Sequence, residues 1–177
     1  IRAVKAPTHL SSSALYTFSP EGQLVVTGFH HSNTIYICDC HSGENFQIEI
    51  PFSDNQKIKR SFSFLRDGAT TKLLMGSMFS LQLVEVNLNN RTSRKHALSK
   101  PFTCFDAIDH ESVVLGSDIG TISILNTTRE SILYNLKTHG SSIFRIKAFT
   151  NDERSFACSL DLSSVMKITD VKQRVFI

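Results

Sequence analysis

The chain has 177 residues, 41% of them hydrophobic, and a formal net charge of +3. That length and apolar share suit one folded domain with its own core and exclude a disordered chain. The small charge excess excludes a heavily basic nucleic-acid domain, and no run reaches the roughly 18 apolar residues of a membrane-spanning helix.

In chain order, residues 13–44 open with alternating Tyr16 and Phe18, turn at Pro20-Glu21-Gly22 and run apolar over 24–26. They turn again over 29–33 and run over 34–38 to close on Asp39. Ser42-Gly43 breaks the chain before a fourth alternating run, Phe46, Ile48 and Ile50. Residues 60–90 repeat the plan with Phe62 and Phe64, an Arg66-Asp67-Gly68 turn, a run over 73–75, a turn over 76–80 and a run over 81–86 closing on Asn87. The polar stretch 87–100 predicts a solvated connection that carries the fourth strand of this unit. Residues 102–128 follow, with turns at Asp109-His110-Glu111 and Asp118-Ile119-Gly120 and a run closing on Asn126. Residues 139–171 are the sharpest copy. His139 leads, Ile143, Ile146 and Ala148 alternate, 151–153 turn, 156–158 run, and a turn on Asp161 leads to Val165, Met166 and Ile168, closing on Asp170. Period-2 alternation interrupted by regular turns predicts short strands, and no stretch carries the 3.6 period and caps of a helix.

Two landmarks repeat. The closing residues Asp39, Asn87, Asn126 and Asp170 are 48, 39 and 44 apart, and the small residues Gly28, Gly76, Gly116 and Ser159 are 48, 40 and 43 apart. A period of about 40–45 residues with four strands per unit is that of a β-propeller. In the last unit, His139, Ser159, Asp161 and Asp170 stand where the WD-repeat family carries its Gly-His pair, its strand Ser or Thr, its turn Asp and the Asp of Trp-Asp. The sequence therefore resembles a divergent WD-repeat β-propeller over roughly residues 13–171. Thr169 stands in place of the Trp, and Cys38, Val86 and Leu125 hold that position in the other units. The resemblance implies an all-β propeller of about four blades, at 13–50, 60–98, 102–136 and 143–177, in one domain over 1–177. Propellers of this type have about seven blades, and the start at Ile1 and the strand-like 174–177 favour a part of a larger one. It also implies that His139, Ser159 and Asp161 form a buried hydrogen-bonded network.

The same three residues are the types of a hydrolase triad, but no nucleophile elbow surrounds Ser159. His30, His31, Cys38, Cys40 and His41 gather zinc-capable side chains, yet the His pair falls at the far end of the strand from the two Cys, beyond ligand distance. No Gly-rich phosphate loop or carboxylate pair stands out, and Asp106 and Asp109 read as a strand residue and its turn. The expectation is no catalytic residue, no metal and no cofactor. Cys38, Cys40, Cys104 and Cys158 read as reduced thiols, mostly buried in strands, which suits a cytoplasmic or nuclear protein. The N-x-T triplets at Asn90 and Asn126 carry little weight.

In the WD-repeat family the turns between second and third strands share one face of the disc. Phe29, His30, His31, Met78, Phe79, Asp118 and Leu160 fall there and are the expected contacts for a protein partner. The leading expectation is a non-catalytic protein-protein interaction scaffold, a subunit of a larger multiprotein intracellular complex. A ubiquitin-ligase substrate receptor is one variant, since Asp170-Val171-Lys172 approximates the docking signature of such receptors. The alternative is a nucleic-acid or lipid contact, with RNA or an anionic membrane surface meeting Arg91, Arg94 and Lys95. The lack of interleaved aromatics there weakens an RNA groove.

Overall fold

The computed structural model describes residues 14–29, 33–50, 60–65, 71–151 and 154–176. These residues form strands and turns, with no helix among them. Four antiparallel four-stranded sheets follow one another, and within each the strands lie side by side in chain order. The first sheet holds β1 (Ala14–Phe18), β2 (Leu24–Phe29), β3 (Thr34–Asp39) and β4 (Asn45–Glu49). The second holds β5 (Arg60–Leu65), β6 (Lys72–Ser77), β7 (Gln82–Asn87) and β8 (Thr92–Ala97). The third holds β9 (Cys104–Ala107), β10 (Ser112–Gly116), β11 (Thr121–Asn126) and β12 (Ser131–Lys137). The fourth holds β13 (Ile143–Asn151), β14 (Arg154–Asp161), β15 (Met166–Asp170) and β16 (Val175–Phe176). Short period-2 runs joined by tight turns can pair only with their sequence neighbours, which gives this meander.

The turn from third to fourth strand is the same device in every sheet. Asp39 Oδ1 accepts the N–H of His41 at 2.7 Å and of Ser42 at 2.9 Å. Asn87 Oδ1 accepts from Asn89 and Asn90, Asn126 Oδ1 from Arg129, and Asp170 Oδ1 from Gln173. The repeating polar landmark is thus a side chain that satisfies its own turn. Four residues beyond each, the backbone is left-handed: Gly43 at φ 76°, Arg91 at 58°, Glu130 at 51° and Arg174 at 59°. Glycine takes that conformation freely, whereas the other three hold it at a cost of about 1–2 kcal/mol. Each of those three reaches back to the fourth strand of the preceding sheet. Arg91 lies 4.8 Å over the Phe46 ring, Glu130 accepts from Arg94 Nη2 at 2.6 Å, and Arg174 lies 4.6 Å over the Tyr134 ring.

Successive sheets pack face to face, with β1 against β5, β5 against β9 and β9 against β13. The first joint buries Val26, Ile35, Ile37 and Ile48 on Leu73, Met75, Val84 and Val86. The second sets Leu74 and Leu83 against Phe105, Val113 and Leu115. The third sets Val114, Ile122 and Ile124 against Ile143, Ile146 and Ala157. Among the described residues the last sheet does not close on the first. Glycine makes these joints close. A β-carbon on Gly28 would stand 2.7 Å from Phe62 Cζ, on Gly76 2.6 Å from Phe102 Cζ, and on Gly116 3.0 Å from Ile143 Cγ2. Each glycine is a hollow for a side chain of the sheet that follows. Ser159 keeps the interval but not this role. It pairs with Ile146 and faces back to the third sheet, and Cys158, one residue earlier, takes the outward side. A one-residue offset reverses the face in a strand. Two turn assignments are also corrected: Phe29 ends β2, paired with Ala14, and Leu160 lies inside β14, paired with Met166.

Candidate functional site

The turns from second to third strands share one end of the array with the connections between sheets. Phe79 N–H donates to Phe102 O at 2.7 Å, His139 N–H to Gly120 O at 2.9 Å, Ile143 N–H to Ser117 O at 3.0 Å and Leu162 N–H to Ser142 O at 2.9 Å. These cross-links fix the tips and leave apolar side chains in solvent. Phe79 is 54% exposed, Leu81 51%, Ile119 57%, Leu162 68%, Val165 44% and Met166 66%. Single exposed apolar residues need no account, but a group at one end of a molecule marks a contact surface. Phe79 is also held at φ 62°, where a bulky residue is strained by about 1–3 kcal/mol. Its exposed ring recovers little of that through burial.

The sequence candidates divide. Phe79 and Asp118 are exposed at these tips, and Met78 is half-buried beside Phe79. Leu160 is half-buried within its strand, below the tip. The Phe29 side chain, His30 and His31 lie outside the described residues. Leu81 and Val165 read as strand residues by alternation, but each stands just before its strand begins. Only the pairing register separates such residues from the core.

His139, Ser159 and Asp161 are brought together. His139 lies in the connection after β12 and is 3% exposed, with Ser159 at 0% and Asp161 at 2%. His139 Nε2 is 2.8 Å from Ser159 Oγ. Its Nδ1 is 3.3 Å from Asp161 Oδ2, close enough for charge attraction but off line for a full hydrogen bond. Burial holds the His139 pKa below its ordinary value, against the pull of Asp161. Burial pushes Asp161 up, but the backbone N–H groups of Val165 and Ser163, the Ser141 hydroxyl and His139 together hold it below the usual carboxylate range. The order matches a hydrolase relay, yet Ser159 is sealed from any substrate. What the three do is bind the sheet-to-sheet connection to β14.

Asp106 is the residue that sequence reasoning missed. It is 5% exposed. Its Oδ1 accepts from Ser63 Oγ at 2.6 Å, and its Oδ2 accepts the Ala148 N–H at 2.9 Å and stands 3.3 Å from Lys147 Nζ. Ser63 Oγ in turn accepts the Ala107 N–H at 3.0 Å. One buried carboxylate therefore ties β5, β9 and β13, the first strands of three sheets. The available signal was a lone acid within the apolar run Phe105, Ala107, Ile108, since a buried carboxylate must be paired. Close by, Thr103 Oγ1 donates to Ile143 O.

The basic trio does not converge. Arg91 lies over Phe46, Arg94 is paired with Glu130, and Lys95 follows Arg94 on the opposite face of β8. Buried His96 sits beside this pair, its Nε2 3.3 Å from Glu85 Oε2. Among the described residues no group of three or more His, Cys, Asp or Glu is arranged to hold a metal. Cys38 is buried in β3 and Cys40 is exposed beyond it; both are free thiols, as are Cys104 and Cys158. Burial pushes the Cys104 thiol up to about 11. No helix among the described residues is long and apolar enough to cross a membrane.

No family model and no curated protein matches the sequence. In fold the chain is similar to a solved chain of Kuenenia stuttgartiensis hydrazine synthase, with a TM-score of 0.69 and 11% identity over 99% of this chain and 51% of that one. This chain thus spans about half the length of that structure. It is one of 885 solved chains that match in fold, so the likeness carries architecture and no chemistry.

Proposed function

We propose that this chain is a WD-repeat-type propeller, or part of one, and that it serves as a non-catalytic protein-protein interaction scaffold whose turn end receives an apolar segment of a partner. The observation that carries the reading is the exposed apolar group Phe79, Leu81, Ile119, Leu162, Val165 and Met166 on one cross-linked end. Aromatic and Met side chains held on rigid tips lose little freedom on binding and are favoured interface anchors. The strained φ of Phe79 supports it, because strain without local benefit is a mark of function. The four Asx turns and the His139, Ser159, Asp161 cluster support the family reading.

Selection of peptides from a random phage library, followed by NMR mapping of the bound peptide, tests the proposal. Selected peptides shift the signals of the turn end, and the pair Phe79→Ser and Leu162→Ser weakens binding by at least about tenfold with the melting temperature unchanged. Peptides that map elsewhere, or that bind the double variant equally well, overturn it.

A further inference from the structure

Phe79 and Leu81 on the second sheet and Ile119 on the third are exposed on sheets that have a packed neighbour on each side. Their exposure belongs to the turns themselves and not to a sheet face. Lysines stand among them. Lys100 is exposed in the connection 98–103, which the bonds from Leu98 N–H to Leu81 O at 2.7 Å and from Phe79 N–H to Phe102 O at 2.7 Å hold alongside the Phe79 turn. Lys137, exposed at the end of β12, donates from Nζ to Ile119 O. Lys167 Nζ donates to Thr138 O at 2.5 Å in the next connection.

A carbonyl takes up one N–H of an ammonium and none of its charge. Lys137 is thus held beside Ile119 with its positive charge intact and further N–H groups to give. Neither Lys100 nor Lys137 forms an ion pair with a carboxylate among the described residues. Acids are few at this end of the second, third and fourth sheets. Asp118 is exposed, and Asp161 is buried with its carboxylate taken up by the N–H groups of Ser163 and Val165. Glu49 closes β4 on the first sheet. At the opposite end of the array, Asp109, Glu111 and Glu130 are interleaved with Arg91, Arg129 and Arg174, and Arg94 reaches Glu130.

We infer that the segment docking on the turn end is an acidic, apolar peptide, a reading that deepens the scaffold proposal above and rests on it. Its large apolar side chains cover Phe79, Leu81 and Ile119, and its Asp or Glu residues meet Lys100 and Lys137. Charges at the rim of an apolar contact steer encounter and select the partner. A lysine already held by a carbonyl loses little further freedom when a carboxylate joins it. Two other anionic partners fit less well. A bilayer of anionic lipid would press its headgroups on Asp118 as well as on the lysines, and lipid recognition draws on clusters of about 4–8 basic residues. Single-stranded RNA stacks on successive aromatics in a basic groove, whereas the turns of the second and third sheets expose one aromatic, Phe79.

Peptides selected on the whole chain from a random phage library are sequenced, mapped by NMR and titrated calorimetrically at rising salt. Those that shift the turn-end signals combine Leu, Ile or Phe with Asp or Glu, and their affinity falls as salt is added. Lys100→Glu and Lys137→Glu together weaken binding by at least about tenfold with the melting temperature unchanged. Lys100→Glu alone serves if the double variant fails to fold. Arg129→Glu, an equal change of charge at the opposite end, leaves the affinity as it was. A selected peptide with its acids replaced by Lys binds the chain carrying Lys100→Glu and Lys137→Glu more tightly than it binds the wild type. Turn-end peptides that are neutral or basic, or whose affinity ignores both salt and the two lysine changes, overturn the acidic partner and leave the apolar scaffold standing. Peptides that map elsewhere overturn both. Phosphatidylserine vesicles that shift the turn-end signals where acidic peptides do not overturn the peptide in favour of a membrane surface.

Discussion

The joint between the first and second sheets and the joint between the third and fourth do one job with two chemistries. The first is a slab of Val26, Ile35, Ile37, Leu73, Met75 and Val84, with the Phe62 ring seated in the hollow at Gly28. The third also has an apolar slab, but threads it with His139, Ser159, Asp161, Asp106 and Thr103, buried and hydrogen-bonded across the sheets. Apolar packing stabilises in proportion to area and tolerates small slips. A buried polar tie contributes only about 1 kcal/mol net when made, but leaving its partners unsatisfied costs more, so it fixes register sharply. The third joint is the more exactly specified and the more easily broken.

Substitutions can test that contrast, and the largest effect falls on the third joint. Gly120 is at φ 77°, and a β-carbon there runs into the His139 carbonyl oxygen and lies 2.6 Å from Ser141 O. Backbone cannot yield as a ring can, so Gly120→Ala lowers stability by about 4 kcal/mol, measured by urea denaturation. Asp106→Ala follows at about 3 kcal/mol, because Ser63 Oγ and the Ala148 N–H lose their acceptor in a dry site. A loss below about 1 kcal/mol would show the carboxylate to be incidental. On the first joint, Gly28→Ala meets only the tip of Phe62, a side chain that can rotate away, and costs about 1.5 kcal/mol. If it cost as much as Gly120→Ala, the contrast would fail.

The smallest effect is read by pH. His139→Gln costs about 1 kcal/mol near neutral pH. Burial sets the folded His139 pKa below the unfolded value of 6.5, so the unfolded chain takes up the proton first. The stability tied to His139 is full above pH 6.5, falls as the pH drops below it, and levels once the folded imidazole protonates. The variant flattens the denaturation midpoint against pH in that window. An unchanged pH profile would show that His139 does not sense its burial.

The same contrast explains what the sequence disclosed. The strands and turns were legible because period-2 alternation and Asx turns are local: Asp39, Asn87, Asn126 and Asp170 each satisfy the backbone two or three residues on. The His139 cluster was legible through the WD-repeat resemblance, which implies a buried network at His139, Ser159 and Asp161. The apolar first joint left only its alternation. Ser159 was misread as the counterpart of Gly116 because an interval measured to one residue does not say which face that residue takes. Asp106 was passed over because its partners lie 43 and 42 positions away in sequence. Arg91, Glu130 and Arg174 gave no signal, since the left-handed turn they occupy is ordinarily written with glycine.

Those three turn residues carry a direction. Arg91, Glu130 and Arg174 each grip a strand made earlier in the chain, Phe46 in β4, Arg94 in β8 and Tyr134 in β12. During synthesis from the N-terminus at about 5–20 residues per second, each sheet therefore emerges to find its anchor already finished. The array can be laid down like courses of brick, each course locking onto the one below. A chain permuted to begin at the second sheet would leave Arg91 waiting for Phe46 until the last strands were made.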